Sequence, residues 1–195
     1  MAIDLPERSA LLVIDVQRGL DDPSLGARDN PACEANIAKL LAAWRERGWP
    51  TVFVRHDSRI AGSPLAPGHP GNAFKDVVSG KPDLLVVKSV NSAFYGEPSL
   101  EPWLRERSIT GLVICGITAN QCCETTARMA GNLGFETFFA LDATHAFERF
   151  DLEGVAIPAA QITRITGANL QEEFASVVST AELLAAVGRN QRAPR

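Results

Sequence analysis

No apolar run in this sequence approaches the roughly 20 residues needed to cross a membrane as a helix, and no charged segment followed by an apolar one opens the chain. A cytoplasmic location is therefore the expectation. Positive charge is not in excess. Lysine and arginine number 19 against 23 acids, for a formal net charge of −4, so neither nucleic acid nor an anionic membrane is expected as a partner. The four cysteines have neither the spacing of a disulfide framework nor that of a metal finger, which suits a reducing compartment. A bond between the adjacent Cys122 and Cys123 would close a strained ring. Neither GxGxxG nor GxxxxGK(S/T) occurs, so no nucleotide-phosphate cradle is implied. No internal repeat, linker or second domain can be marked, and the 195 residues read as one domain, with a loose polar tail at 188–195.

What is present is a strand–helix alternation. Apolar runs over 9–15, 51–55, 83–88, 111–115, 135–141 and 174–178 read as strands. Ile37, Leu40, Leu41 and Trp44 fall at i, i+3, i+4 and i+7 of a helix that Asn30-Pro31 would open and Gly48 would close. Leu100, Trp103 and Leu104 mark a short helix. Residues 122–132 are helix-compatible up to Gly134, 151–170 look mostly helical, and 180–187 form a last helix capped by Ser179 or Thr180. The expected fold is α/β: a three-layer α/β/α sandwich around a six-stranded, mainly parallel sheet. Residues 56–82 and 89–98 break the pattern and are expected to be loops walling a site.

The chemistry centres on residues 111–127. A buried strand, a polar turn at Thr118 to Gln121, and a helix start put Cys122 where unpaired backbone N–H groups point outward. Such a position favours an anion, so the thiol is expected to lean toward thiolate, and the same N–H groups could hold an oxyanion. Cys115 and Cys123 read as small core residues. Cys122 by its turn alone reads equally as core or as nucleophile. Asp15 and Lys88, each at the end of an apolar run, tip the balance, because strand ends of a parallel sheet line one crevice. A coupled Asp15–Cys122 pair is expected to share a proton near neutrality. Gln17 either orients substrate or bonds a loop, and His56 either walls the pocket or is a satisfied loop histidine. Phe94 and Tyr95 offer rings for stacking, and Asn120 either caps the helix or touches substrate. Asp142 to His145 would brace the site from outside.

Leu12-Val13-Ile14-Asp15-Val16-Gln17, Val86-Val87-Lys88, Ser92 to Gly96, and Cys115-Gly116-Ile117-Thr118 through Cys122 to Ala127 occur in the order found in the isochorismatase-like cysteine hydrolase superfamily, which the chain resembles over nearly its whole length. The resemblance implies a triad of Asp15, Lys88 and Cys122, a cis peptide at Ile117–Thr118, and an oxyanion hole from the backbone of Thr118 and Cys122. It implies hydrolysis of a non-peptide C–N bond in a small amide, carbamoyl or ureido compound, and a homo-oligomer (dimer or tetramer) with loop 56–82 near a subunit boundary. Nicotinamidases of the superfamily carry an Asp-x-His pair and a later His. Here the order is His56-Asp57, with His69 alone near Asp76, so no metal and no cofactor is expected. The competing readings are a vinyl-ether hydrolase acting on isochorismate, which needs no cysteine nucleophile, and a non-enzymatic thiol sensor or binding module using Cys122-Cys123.

Overall fold

The structure is a computed structural model that describes residues 3–190. Its centre is a six-stranded sheet with every pairing parallel, in the order β3-β2-β1-β4-β5-β8. The strands are β1 (Ala10–Ile14), β2 (Thr51–His56), β3 (Leu84–Lys88), β4 (Gly111–Ile117), β5 (Glu136–His145) and β8 (Ser176–Val178). β1 is buried along its whole length, as a central parallel strand covered on both faces must be. The chain builds outward from β1 to β3, then returns to the other side of β1 with β4. The strand order therefore reverses between β1 and β4, where open α/β sheets leave a crevice at their C-terminal edge.

Alternation along the strands feeds two cores. Leu11, Val13, Val113 and Phe138 pack under α1 (Cys33–Glu46) and α5 (Thr180–Asn190). Leu12, Ile14, Ile114 and Phe139 pack on the other face, which α2 (Leu100–Glu106), α3 (Glu124–Asn132) and α4 (Ala159–Leu170) cover. The expected helical stripe Ile37, Leu40, Leu41 and Trp44 is fully buried, and Gly48 at φ +60° ends that helix. Trp44 also donates its indole N–H to the Ser9 carbonyl, 2.8 Å away, where β1 begins. Ser179 and Glu182 bond reciprocally at the start of α5, forming a capping box. No helix among the described residues is long and apolar enough to cross a membrane.

Several expectations fail in detail. Asn30 does not cap α1. Its amide instead donates to the carbonyls of Asp142 and Thr144, at 2.9 and 2.6 Å, stitching the entry to α1 onto β5. β5 runs on to His145 across a register shift opposite β4, and Asp142 uses its carboxylate to receive the Thr180 N–H at α5. Residues 151–158 are not helical. They close a hairpin of β6 (Arg149–Phe150) and β7 (Ala156–Ile157), turned at Gly154 with φ +79°. Residues 188–190, expected in the tail, continue α5, and 191–195 lie outside the described residues.

Gly116 sets how closely β4 can approach β1. It adopts φ +133°, and a Cβ there would run into the Ile14 carbonyl oxygen. Gly116→Ala should cost at least about 2 kcal/mol from backbone strain and displacement. The check is a melting temperature lowered by about 5 °C or more, and an unchanged melting point would contradict this account.

Candidate active site

Four strand ends converge at the crevice. β1 delivers Asp15, held at φ +51°, a region costly for a residue with a Cβ. β2 and β3 end on His56 and Lys88, which are register partners. β4 passes through a cis Ile117–Thr118 peptide into a π turn over Ala119–Cys123, continuous with α3. That turn presents Cys122.

The Lys88 side chain is fully buried and its ammonium is the hub. Its Nζ donates to Asp15 Oδ2 at 2.6 Å, to Cys122 Sγ at 3.4 Å, and lies 3.1 Å from His56 Nδ1. An ammonium has three protons, so these contacts use them all. Burial works against its charge, but Asp15 and then Cys122 outweigh that and hold Lys88 above its ordinary value. Burial likewise raises Asp15, with Lys88 opposing. A contact this short between lysine and carboxylate is an ion pair, because the amine is much the stronger base. The other carboxylate oxygen, Oδ1, is buried with no hydrogen-bond partner among the described residues.

Burial and the Asp15 charge push the Cys122 thiol up to about 12, against the pull of Lys88. The expected lean toward thiolate is corrected by this balance, while Asp15 and Cys122 do act on each other's titration and together hold one proton. A local turn and one cation do not offset near-complete burial beside a carboxylate, so the resting proton sits on sulfur. His56 is lowered by burial and by Lys88, so its ring is neutral. With Lys88 donating to Nδ1, the network assigns the ring proton to Nε2.

Asp15, His56 and Cys122 offer a donor set whose atoms lie within 4.8 Å of one another, a spacing a metal ion could bridge. The Lys88 ammonium already contacts all three, so the place a cation would take is filled by the protein itself.

The cleft is a cavity of about 200 Å³. Asp15, His56, Asn91, Thr118, Gln121 and Cys122 form its polar wall, and Leu20, Leu65 and Ile117 its apolar one. A larger hollow of about 390 Å³ beside β5 and β8, lined by Leu141, Thr163, Val177 and Glu182 among others, contains no thiol. Cys123 is completely buried in the core beside α3, Cys115 lies in the opposite core, and all four cysteines are free.

Gln17, Phe94, Tyr95 and Asn120, weighed as substrate contacts, do not line the cavity. Gln17 is buried, and its amide is consumed by backbone: it donates to the carbonyls of His56 and Asn72 and accepts the His56 N–H. It therefore pins the end of β2 and positions His56. Phe94 stacks on Phe135, with ring centroids 6.0 Å apart. Tyr95 is 70% exposed and away from the cavity wall. Asn120 is not the cap residue of the turn or of α3, whose caps are Thr118 and Cys123, and its Oδ1 is buried without a partner among the described residues. His145, expected to brace the site, is buried against Phe147. The residues that were not foreseen are Asn91, whose Oδ1 lies 3.8 Å from Cys122 Sγ, with Gln121, Leu20 and Leu65. Asn91 and Leu65 do fall in the two loops expected to wall the site, but no residue pattern marks them out within those loops.

Fold and site together define an α/β protein with a thiol, a carboxylate and a lysine at the switch point of a parallel sheet. Comparison with known proteins gives the family. The family model "Isochorismatase domain" matches residues 9–182, and the chain belongs to the isochorismatase family of hydrolases. It is 40% identical to the isochorismatase family protein YrdC of Bacillus subtilis (strain 168), over 92% of this chain and 96% of that one. It is 30% identical to the ureidoacrylate amidohydrolase RutB of Variovorax paradoxus (strain S110), over 89% of this chain and 79% of the relative. A solved structure of an isochorismatase-family protein from Chromobacterium violaceum ATCC 12472 superimposes with a TM-score of 0.92 at 38% identity, covering 97% of this chain and 98% of that one.

Proposed function

We propose that the protein hydrolyses a C–N bond of a small amide, carbamoyl or ureido compound through a thioester on Cys122. The observation that carries this reading is the Lys88 ammonium touching both Asp15 and Cys122 while Asp15 keeps a buried oxygen without a partner. That free oxygen is the base available for the thiol proton. An amidohydrolase among the relatives supports the same reaction type.

In the first step Asp15 takes the proton from Cys122 as sulfur bonds to the carbonyl carbon, and the carbonyl oxygen becomes an oxyanion. The backbone N–H groups of Thr118 and Cys122 are assigned to that oxyanion. The Thr118 carbonyl receives the N–H groups of Gln121 and Cys123, with Cys122 between them. Losing one such donor typically costs about 2.7–4 kcal/mol in the transition state. The C–N bond then breaks, and Asp15 returns its proton to the leaving nitrogen. Water next gives a proton to Asp15 as its oxygen attacks the thioester. The C–S bond breaks, Asp15 passes that proton to the sulfur, and the acid leaves. Lys88 stays cationic throughout, compensating whichever of Asp15 and Cys122 is the anion.

The test is a panel of small amides, ureas and carbamates assayed for ammonia release by the full-length protein, beside site mapping after iodoacetamide treatment. The expected result is single labelling at Cys122, with ammonia release falling in proportion to the label. Labelling confined to another cysteine, or turnover that survives complete modification of Cys122, would reject the mechanism.

A further inference from the structure

The charge inventory of the cavity is unusually one-sided. Asp15 is the only acid in its lining, and no arginine or lysine side chain lines it among the described residues. Lys88 lies beneath the wall with a fully buried side chain and all three protons assigned. Of the cations in neighbouring segments, Arg55 is paired with Asp57, Arg18 with Asp76, and Lys75 with Asp21 and Glu34, and Arg59, exposed on the loop that follows β2, is not part of the lining. The remaining polar groups are neutral. Asn91 brings an amide beside the thiol. Gln121 accepts the Thr118 hydroxyl on Oε1 at 3.2 Å, leaving its NH₂ group as a donor. His56, whose ring proton the Lys88 contact at Nδ1 assigns to Nε2, lines the cavity as a neutral donor. Side-chain amides pair naturally with the adjacent donor and acceptor of another amide. A carboxylate placed here would lose its hydration, face Asp15, and find no counter-ion, the costly case for a buried charge.

We propose that the cavity selects uncharged ligands: its substrate class is a small neutral amide or urea, and analogues bearing a carboxylate are rejected. This rests on the amide-hydrolase reading of the same site and narrows it. The cavity of about 200 Å³ is below the roughly 300–1,000 Å³ of pockets that hold drug-sized ligands, so the compound is small as well as neutral.

Iodoacetamide and iodoacetate test this without requiring turnover, because they deliver the same alkylation and differ only in an amide against a carboxylate. Second-order rate constants at Cys122 of the full chain are measured for both. Their ratio is compared with that for N-acetylcysteine amide in the same buffer. The expected ratio at Cys122 favours iodoacetamide by at least about tenfold more than the model thiol does, about 1.4 kcal/mol of discrimination. Leu65→Lys, which adds a cation to the apolar wall, should return the ratio toward the model value. A ratio at Cys122 equal to or below that of the model thiol overturns the proposal, as does a ratio that Leu65→Lys leaves unmoved. Butyramide and succinamate, assayed for ammonia release, separate the two levels of argument. If the alkylation ratio holds but no neutral amide or urea is turned over, the amide-hydrolase reading falls, while the selection for uncharged ligands stands. Succinamate cleaved as efficiently as butyramide overturns the selection and leaves the hydrolase reading intact.

Discussion

Asp15→Asn is expected to lower ammonia release by about 10²–10⁴-fold, the range for loss of a positioned general base and acid, while making Cys122 easier to alkylate. The two effects run in opposite directions because Asp15 does two things to the thiol. Its partnerless oxygen is the only acceptor proposed for the Cys122 proton and the only donor proposed for the leaving nitrogen. Its charge is also one of the causes, after burial, that push the thiol up to about 12. Asparagine keeps the shape, removes the charge and leaves Lys88 with sulfur as its anionic partner. The pH profile of iodoacetamide labelling should therefore move to lower pH as turnover collapses. Turnover within tenfold of the unaltered protein, or a labelling profile displaced upward, would show that Asp15 is not the base.

The contrast between what the sequence revealed and what it hid follows from range. Asp15, Lys88 and Cys122 were readable because each ends or follows a run of apolar residues, and a parallel sheet brings such ends to one edge. The stripe from Ile37 to Trp44 was readable because its period is local. Gln17 was not, because its amide is satisfied by the backbone of His56 and Asn72, 39 and 55 residues away. Asn30 sits where a helix cap belongs, but carbonyls 112 and 114 residues away claim its amide. Leu152 and Val155 lie at a helical spacing, yet Gly154 at φ +79° turns them into an exposed hairpin tip. The thiol's protonation state was misjudged for the same reason. A helix start is visible in the chain, whereas the burial and the Asp15 charge come from segments, such as those of Lys88, Asn91 and Asp15 itself, that only the fold brings to the thiol. Asn91 and Gln121 belong to irregular segments, where periodicity carries no information about which side chain faces inward.

Lys88→Ala should damage both the stability and the reactivity of the site. It removes the cation from a fully buried pair and leaves Asp15 without compensation, a loss of about 3–5 kcal/mol at neutral pH. The pH dependence has a definite sign. Burial already raises Asp15, and Lys88 is the main opposing influence, so in the variant Asp15 rises further. A carboxyl raised in the folded state contributes its full stability below the unfolded value of about 3.9, and that contribution is lost as pH rises through the folded value. The deficit relative to the unaltered protein should therefore be small near pH 4.5 and widen toward pH 7.5, as measured by urea denaturation at both. Two acids then face each other at the catalytic edge. The thiol, already held up to about 12, loses the group that pulls it down, so iodoacetamide labelling should slow and shift to higher pH. Ammonia release should fall by at least about 10²-fold, the scale for removing one electrostatic stabiliser. Lys88→Met separates the two roles, since it restores the apolar stem without the charge. It should regain part of the stability and none of the activity. If Lys88→Ala instead leaves the labelling profile unchanged, Lys88 is a structural ion-pair partner of Asp15, and the thiol is activated by something else.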